Sequence, residues 1–307
     1  MSALIEVEHL SRYFGKICAV NDISFKLSKG EVLGFLGVNG AGKTTTMQML
    51  SGCLAPSQGI IKINDYNILK DPLLAKQSLG YLPDTPPLYK DLTVKEYLHY
   101  CAQIHAIPKQ RINAALDTVF SRCGLTSVTN RLISHLSKGF QQRIGIAQAI
   151  VHNPDLIILD EPTIGLDPIQ IIEIRALIKK LGKNHGVILS THILNEIQEI
   201  CTHVQIIHQG KLIVKESIDT INKSINESSV IFKTTRPIDK QILLTIPGVQ
   251  NLEVLSNNEF KINFNHSHDL TQQIAEIIIK QDWGLIEISP VKKNLETLFI
   301  ASTEEPA

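Results

Sequence analysis

A chain of 307 residues is long enough for two domains and a substantial buried core. Its 30 basic and 30 acidic side chains cancel, which excludes a global field drawing the protein onto nucleic acid or an anionic membrane surface. Its five cysteines (Cys18, Cys53, Cys101, Cys123 and Cys201) have no Cys-x-x-Cys spacing, so they read as reduced thiols of a cytosolic protein, not a metal or redox pair.

The opening MSALIEVEHL has no basic region leading into an apolar stretch, so no secretory signal is expected. The apolar runs all fall short of the roughly 20 residues that span a bilayer. Strands are predicted at 5–7 and 32–36. The second runs into GVNGAGKT at 37–44, which matches G-x-x-x-x-G-K-[ST], and a helix is expected from there through Leu50. Such a strand-to-helix loop wraps phosphate with backbone N–H groups from Gly37, Val38, Asn39, Gly40, Ala41 and Gly42. Lys43 supplies positive charge, Thr44 a magnesium ligand and Thr45 a donor to phosphate, so the chain handles ATP or GTP.

Thr93 and Glu96 have capping-box spacing, with Val94, Tyr97, Leu98 and Cys101 following at helical intervals, so a helical insertion is expected over 93–135. The run 156–159 is a buried-strand pattern ending abruptly in Asp160 and Glu161. Downstream of a phosphate loop those carboxylates have separate uses: Asp160 acting through magnesium and Glu161 polarising the attacking water. Asp167 caps a helix with Pro168 in its first position and an apolar stripe of Ile171, Ile174, Leu177, Ile178 and Leu181. That helix returns the chain to a strand at 187–189.

Between 215 and 229 the sequence turns polar, which predicts a linker over 217–228. Beyond it, a strand (230–233), a helix (238–245), two strands (251–255 and 259–264), a helix (269–281) and a strand (285–288) follow in βαββαβ order. A small ferredoxin-like α+β domain over 229–307 is expected.

LSKGFQQR at 136–143, lying between the phosphate loop and the acidic strand, resembles the signature of the ATP-binding cassette (ABC) family. Lys138 replaces the usual first glycine and Phe140 the usual glutamine, while Ser137 and Gly139 keep the pattern. The resemblance implies an α/β fold, a P-loop NTPase cassette over 1–216 with a helical subdomain at about 91–150. It implies ATP hydrolysis with Mg2+ and two cassettes, a homodimer or a pair, enclosing two ATP molecules. Ser137 and Gly139 of each copy then face the nucleotide held by the other.

The same resemblance assigns His192, in a Ser-Thr-His segment, to the γ-phosphate, and an aromatic near the N-terminus to stacking on adenine. Phe14 is favoured for that stacking, with Tyr13 as the alternative. The loop containing Asp84, where the family carries glutamine or glutamate, implies contact with magnesium through water, or coupling to a permease. Pro83, Pro86 and Pro87 restrict it and present Tyr81 or Tyr89 as anchors for a partner helix. Ile164 to Asp167 resembles the loop that communicates between sites, and 294–299 resembles a closing C-terminal helix.

These variants look most like the ATPase subunits of bacterial exporters of the multidrug or gliding-motility type, whose permease is a separate chain. The implied location is peripheral, on the cytoplasmic face of the inner membrane, with no nucleic-acid partner. The alternatives are an importer ATPase subunit and a soluble ABC ATPase regulating another machine. The single cassette, the lack of a heptad insertion and the neutral charge oppose the last of these.

Overall fold

The computed structural model describes residues 3–225, 227–265 and 270–291. Two compact units divide after Glu216. The first begins with strands β1 (Ile5–Phe14), β2 (Ile17–Leu27) and β3 (Val32–Leu36), then helix α1 (Lys43–Leu50), β4 (Gln58–Ile63), β5 (Tyr66–Asn67), α2 (Pro72–Gln77) and β6 (Leu79–Leu82). Helices α3 (Val94–Ile104), α4 (Lys109–Cys123) and α5 (Lys138–Ile150) follow. The unit closes with β7 (Leu156–Asp160), α6 (Pro168–Leu181), β8 (Gly186–Thr191), α7 (Leu194–Ile200), β9 (His203–His208) and β10 (Lys211–Ser217).

Two sheets sandwich the main core. One is antiparallel, in the order β2-β1-β4-β5, and the other runs β10-β9-β3-β8-β7-β6. Within the second, β9, β3, β8, β7 and β6 pair in parallel. Every residue of β3, β7 and β8 is buried, as strands covered on both faces require, so near-continuous apolar sequence replaces alternation there. Burying each Leu, Ile or Val side chain contributes about 1.5–3 kcal/mol, which anchors the loops that leave these central strands. Their registers align Leu36 with Thr191 and Asp160 with Ser190. The three strands therefore end level, and the loops leaving them emerge side by side.

Two local signals set the helices. The Thr93 hydroxyl accepts from Glu96 N and the Glu96 carboxylate accepts from Thr93 N, closing the expected capping box on α3. The Asp167 carboxylate accepts from Gln170 N, with Pro168 at the first turn of α6. On α6, Ile174, Leu177, Ile178 and Leu181 are buried, whereas Ile171 is only half-buried.

The second unit contains α8 (Ile218–Ile225), β11 (Glu227–Thr234), α9 (Lys240–Leu244), β12 (Val249–Ser256), β13 (Glu259–Asn265), α10 (Thr271–Lys280) and β14 (Leu285–Val291). Its sheet runs β12-β13-β11-β14, antiparallel throughout, the order a βαββαβ chain forms when each helix crosses one intervening strand. Val230, Phe232, Phe260, Ile262 and Phe264 on one face pack against Leu243, Ile274, Ile278 and Trp283. Residues 218–225, within the stretch expected as linker, form α8. The Ser217 hydroxyl accepts from Thr220 N at the helix start, and Ile218 and Ile221, one turn apart, are buried. The segment 294–299 lies outside the described residues.

Candidate nucleotide site

At the C-terminal end of β3 the chain turns sharply. Gly40 and Gly42 take φ of 80° and 108°, and a side chain at Gly42 would place its Cβ 2.5 Å from the carbonyl oxygen of Ala19. No side chain caps α1 at Gly42, so the first-turn N–H groups of that helix face a cavity of about 430 Å³. Asn39, Gly40, Gly42, Lys43, Thr44 and Thr45 line this cavity, together with Asp84, Glu161 and His192. Lys43 is buried, and its Nζ donates to Gly37 O at 2.8 Å and Val38 O at 3.3 Å while lying 3.5 Å from Glu161 Oε1. A buried cation among unpaired amide donors is a strong attractor for polyphosphate.

β7 delivers the carboxylates. Asp160 is fully buried, and Oδ1 accepts from the Ser190 hydroxyl, whereas Oδ2 is buried without a hydrogen bond. Burial pushes its carboxyl up from the ordinary range, with the Ser190 and Thr44 hydroxyls acting against that rise. An unsatisfied carboxylate oxygen beside the Thr44 hydroxyl fits a divalent cation that prefers oxygen ligands. Glu161, the next residue, has φ of 45°, a left-handed turn that swings its side chain away from the course of Asp160. Its N–H is held by Ser190 O at 3.2 Å and the Ser190 hydroxyl at 3.1 Å. Its Oε2 lies 2.9 Å from His192 Nδ1, which makes Nδ1 the protonated nitrogen whenever the ring donates to that carboxylate.

The remaining predicted residues divide. Asp84 lies at the cavity wall, its Oδ1 accepting from Thr85 N at 2.7 Å, and it also lines a neighbouring cavity with Pro86, Leu88, Lys138 and Gln142. Gly37 packs against Ile207, Ala41 is buried and Val38 is half exposed; these three shape the loop without lining the cavity. Phe14 and Tyr13 are both exposed, and neither lines it; the Arg12 guanidinium stands 4.6 Å over the Phe14 ring. Ala19 is the residue of that N-terminal hairpin that does line it. Ser137 caps α5 through Phe140 N and Gly139 packs against Gln170; neither reaches the cavity of its own chain.

Sequence reasoning missed Ser190, whose signal was a hydroxyl at the end of an otherwise apolar strand. It also missed Glu196, Thr163 and Thr191, whose contacts join separate loops.

A parallel sheet carrying a glycine-rich phosphate loop, an adjacent buried carboxylate pair and a helical insertion opening on Ser137 defines a nucleotide-hydrolysing cassette. The profile of the family described as "ABC transporter" matches residues 20–164. Over 305 residues the chain is 41% identical to the bacitracin transport ATP-binding protein BcrA of Bacillus licheniformis, covering 98% of this chain and 97% of that one. It is 30% identical over 306 residues to the linearmycin resistance ATP-binding protein LnrL of Bacillus subtilis, with 98% of each covered. Among solved structures, an ATP-binding subunit of an ABC transporter superposes with a TM-score of 0.66 at 32% identity, over 72% of this chain and 92% of that one. The chain belongs to the ATP-binding proteins of ABC transporters and is an ATP hydrolase of that class. Among the described residues no helix is long and apolar enough to cross a membrane.

Proposed function

We propose that this chain is the ATPase subunit of an antibiotic exporter, bound to the cytoplasmic face of a separate permease and working as a head-to-tail pair of identical copies. The observation that carries the hydrolytic half is the convergence of Lys43, Glu161 and His192 on one cavity. Lys43 and the loop amides hold the β- and γ-phosphates. Glu161 takes a proton from the water whose oxygen attacks the γ-phosphorus, and the bond to the ADP oxygen breaks as that bond forms. His192 keeps the Glu161 carboxylate aimed and reaches the γ-phosphate. Thr44 and Asp160, with Asp84 through water, would hold Mg2+, which would neutralise charge on the phosphates.

Pairing is supported by the exposed apolar side chains beside the communicating loop. Ile164 is 42% exposed, Ile169 73% and Ile172 64%, a row that a second copy would cover. The same pairing would bring Ser137 and Gly139 at the start of α5 to the partner's nucleotide. Coupling to a permease is supported by the cavity that Asp84 shares with Pro86, Leu88 and Gln141. Beside it, the ring of Tyr89 stands 5.9 Å from that of Tyr97 and 5.6 Å from that of Tyr100. A cavity neighboured by the exposed Tyr89 and Tyr100 suits an amphipathic helix.

Export of an antibiotic is supported by full-length similarity to the bacitracin and linearmycin proteins, which extends through the second unit. The test is a deletion strain scored for bacitracin susceptibility. Loss of resistance restored by the native chain and not by Glu161→Gln supports the reading; unchanged susceptibility to bacitracin and linearmycin alike refutes the cargo class.

A further inference from the structure

Glu196, on α7, is fully buried, four residues beyond His192, and takes no part in lining the nucleotide cavity. A buried carboxylate is costly unless its oxygens are satisfied, so its partners define what it does. Oε1 accepts from the Thr163 hydroxyl at 2.5 Å and Oε2 from the Thr191 hydroxyl at 2.7 Å. Thr163 sits two residues after Glu161, and Thr191 immediately precedes His192. The Arg175 guanidinium of α6 stands 3.5 Å from Oε1 and offsets the charge, while its other end pairs with Glu199 at 3.0 Å.

Each threonine in turn fixes backbone around the reacting side chains. Thr163 O accepts from Leu166 N at 3.3 Å, inside the loop that leads to α6, and Glu161 O accepts from Ile164 N at 3.2 Å. The Thr191 hydroxyl, while donating to Glu196, accepts from Ile193 N at 3.0 Å and so sets the turn that carries His192. The loop after β7 and the loop after β8 share no main-chain hydrogen bond beyond Glu161 N to Ser190 O. Glu196 adds a buried tie to those made by the Ser190 hydroxyl with Glu161 N and by His192 with the Glu161 carboxylate.

We infer that Glu196 is a positioning residue for ATP hydrolysis, clamping the loops that present Glu161 and His192 so that the two side chains keep one fixed geometry. The inference rests on the roles proposed above for Glu161 and His192. Two hydroxyl donors need two acceptor oxygens, which a carboxylate offers and an amide does not. Glu196→Gln keeps the shape and loses one acceptor. Displacing reacting groups by around 1 Å costs up to about a hundredfold in rate, whereas loop amides that grip phosphate are untouched.

The test is steady-state ATPase and fluorescent ATP-analogue binding by the purified full chain carrying Glu196→Gln, Thr163→Val or Thr191→Val. Each is expected to lower kcat at least about tenfold with the nucleotide Kd within about twofold of native. The threonine substitutions are expected to add little in a Glu196→Ala background, and Thr191→Ser, which keeps the hydroxyl, recovers most of the loss. Amide hydrogen exchange across 161–166 and 191–193 separates this clamp from the chemistry itself: it rises in Glu196→Gln whether or not Glu161 and His192 act on water and phosphate. Native kcat in all three variants, a Kd that rises as far as kcat falls, or unchanged exchange in both loops overturns the assignment.

Discussion

His192 Nδ1 stands 2.9 Å from Glu161 Oε2, a contact between side chains that leave neighbouring strands, β8 and β7, at the same level of the sheet. The parallel register that aligns Asp160 with Ser190 brings the two loops side by side. It follows that the carboxylate proposed to activate water and the imidazole proposed to face phosphate are joined by a direct contact.

Removing the charge of Glu161 while keeping its shape should stop turnover without weakening nucleotide binding. For Glu161→Gln the ATPase rate is expected to fall about 10²- to 10⁴-fold, the range for loss of a general base. Fluorescent ATP titration is expected to give a Kd within a fewfold of native. His192→Ala should lower kcat by a comparable or smaller factor, because it releases Glu161 as well as its own contact.

Asp160 exemplifies stability given up for function. Burial raises its folded-state value above that of an unfolded aspartate, so at neutral pH the charged form destabilises the protein. The sign is opposite to that of a salt-bridged carboxylate: stability contributed by this group is present at low pH and is lost as pH rises. Asp160→Asn, which retains an acceptor for the Ser190 hydroxyl, is therefore expected to raise the nucleotide-free Tm by about 2–4 °C while cutting Mg-ATPase by two orders of magnitude or so. Thermal melts without nucleotide measure the first arm and steady-state phosphate release with MgATP the second.

The phosphate loop has no tolerance for a side chain at Gly42, where φ is 108° and Cβ would meet a backbone oxygen at 2.5 Å. Gly42→Ala is expected to destabilise the first unit by about 2–3 kcal/mol and to abolish ATP-analogue binding. Gly15→Ala, at φ 59° but with open space around it, should leave binding intact and cost about 1 kcal/mol by chemical denaturation.

Acid should weaken the fold at a site remote from the nucleotide. His105, at the end of α3, stacks on His152, just beyond α5, with ring centroids 3.6 Å apart. His152 Nε2 donates to Leu79 O at 3.0 Å. Burial, reinforced by the neighbouring His105, pushes His152 down to about 4 from the model-compound value of 6.5, and burial lowers His105 as well. Both rings are neutral in the folded chain, so their stability is complete above 6.5 and falls as pH drops toward 4. Melting curves of the native chain are expected to lose about 2 kcal/mol across that window, and His152→Gln to flatten the decline.

Local chemistry made much of this site legible. The glycine spacing, the terminal Asp160 and Glu161 of an apolar run, and the reciprocal Thr93 and Glu96 cap each act over a few residues, so their meaning survives in a string. Features set across the fold did not. β2 carries Asn21 and Asp22 among its apolar residues because one face is solvated, which hides a strand that pairs along most of β1. The polar stretch 217–225 hid a helix because the buried Ile218 and Ile221 stand among polar residues. Nothing in the string marks Glu196, since Thr163 and Thr191 reach it from loops that meet only in three dimensions. Phe14, chosen by its place before Gly15, stands beside Arg12 outside the cavity lining.

The central claim is that ATP joins two copies, each completing the other's site through Ser137. Light scattering on purified Glu161→Gln with MgATP tests it most directly. A species of twice the chain mass that reverts to single chains when Ser137→Arg is added is the predicted result. A single chain at saturating MgATP, with the nucleotide demonstrably bound, would contradict the account.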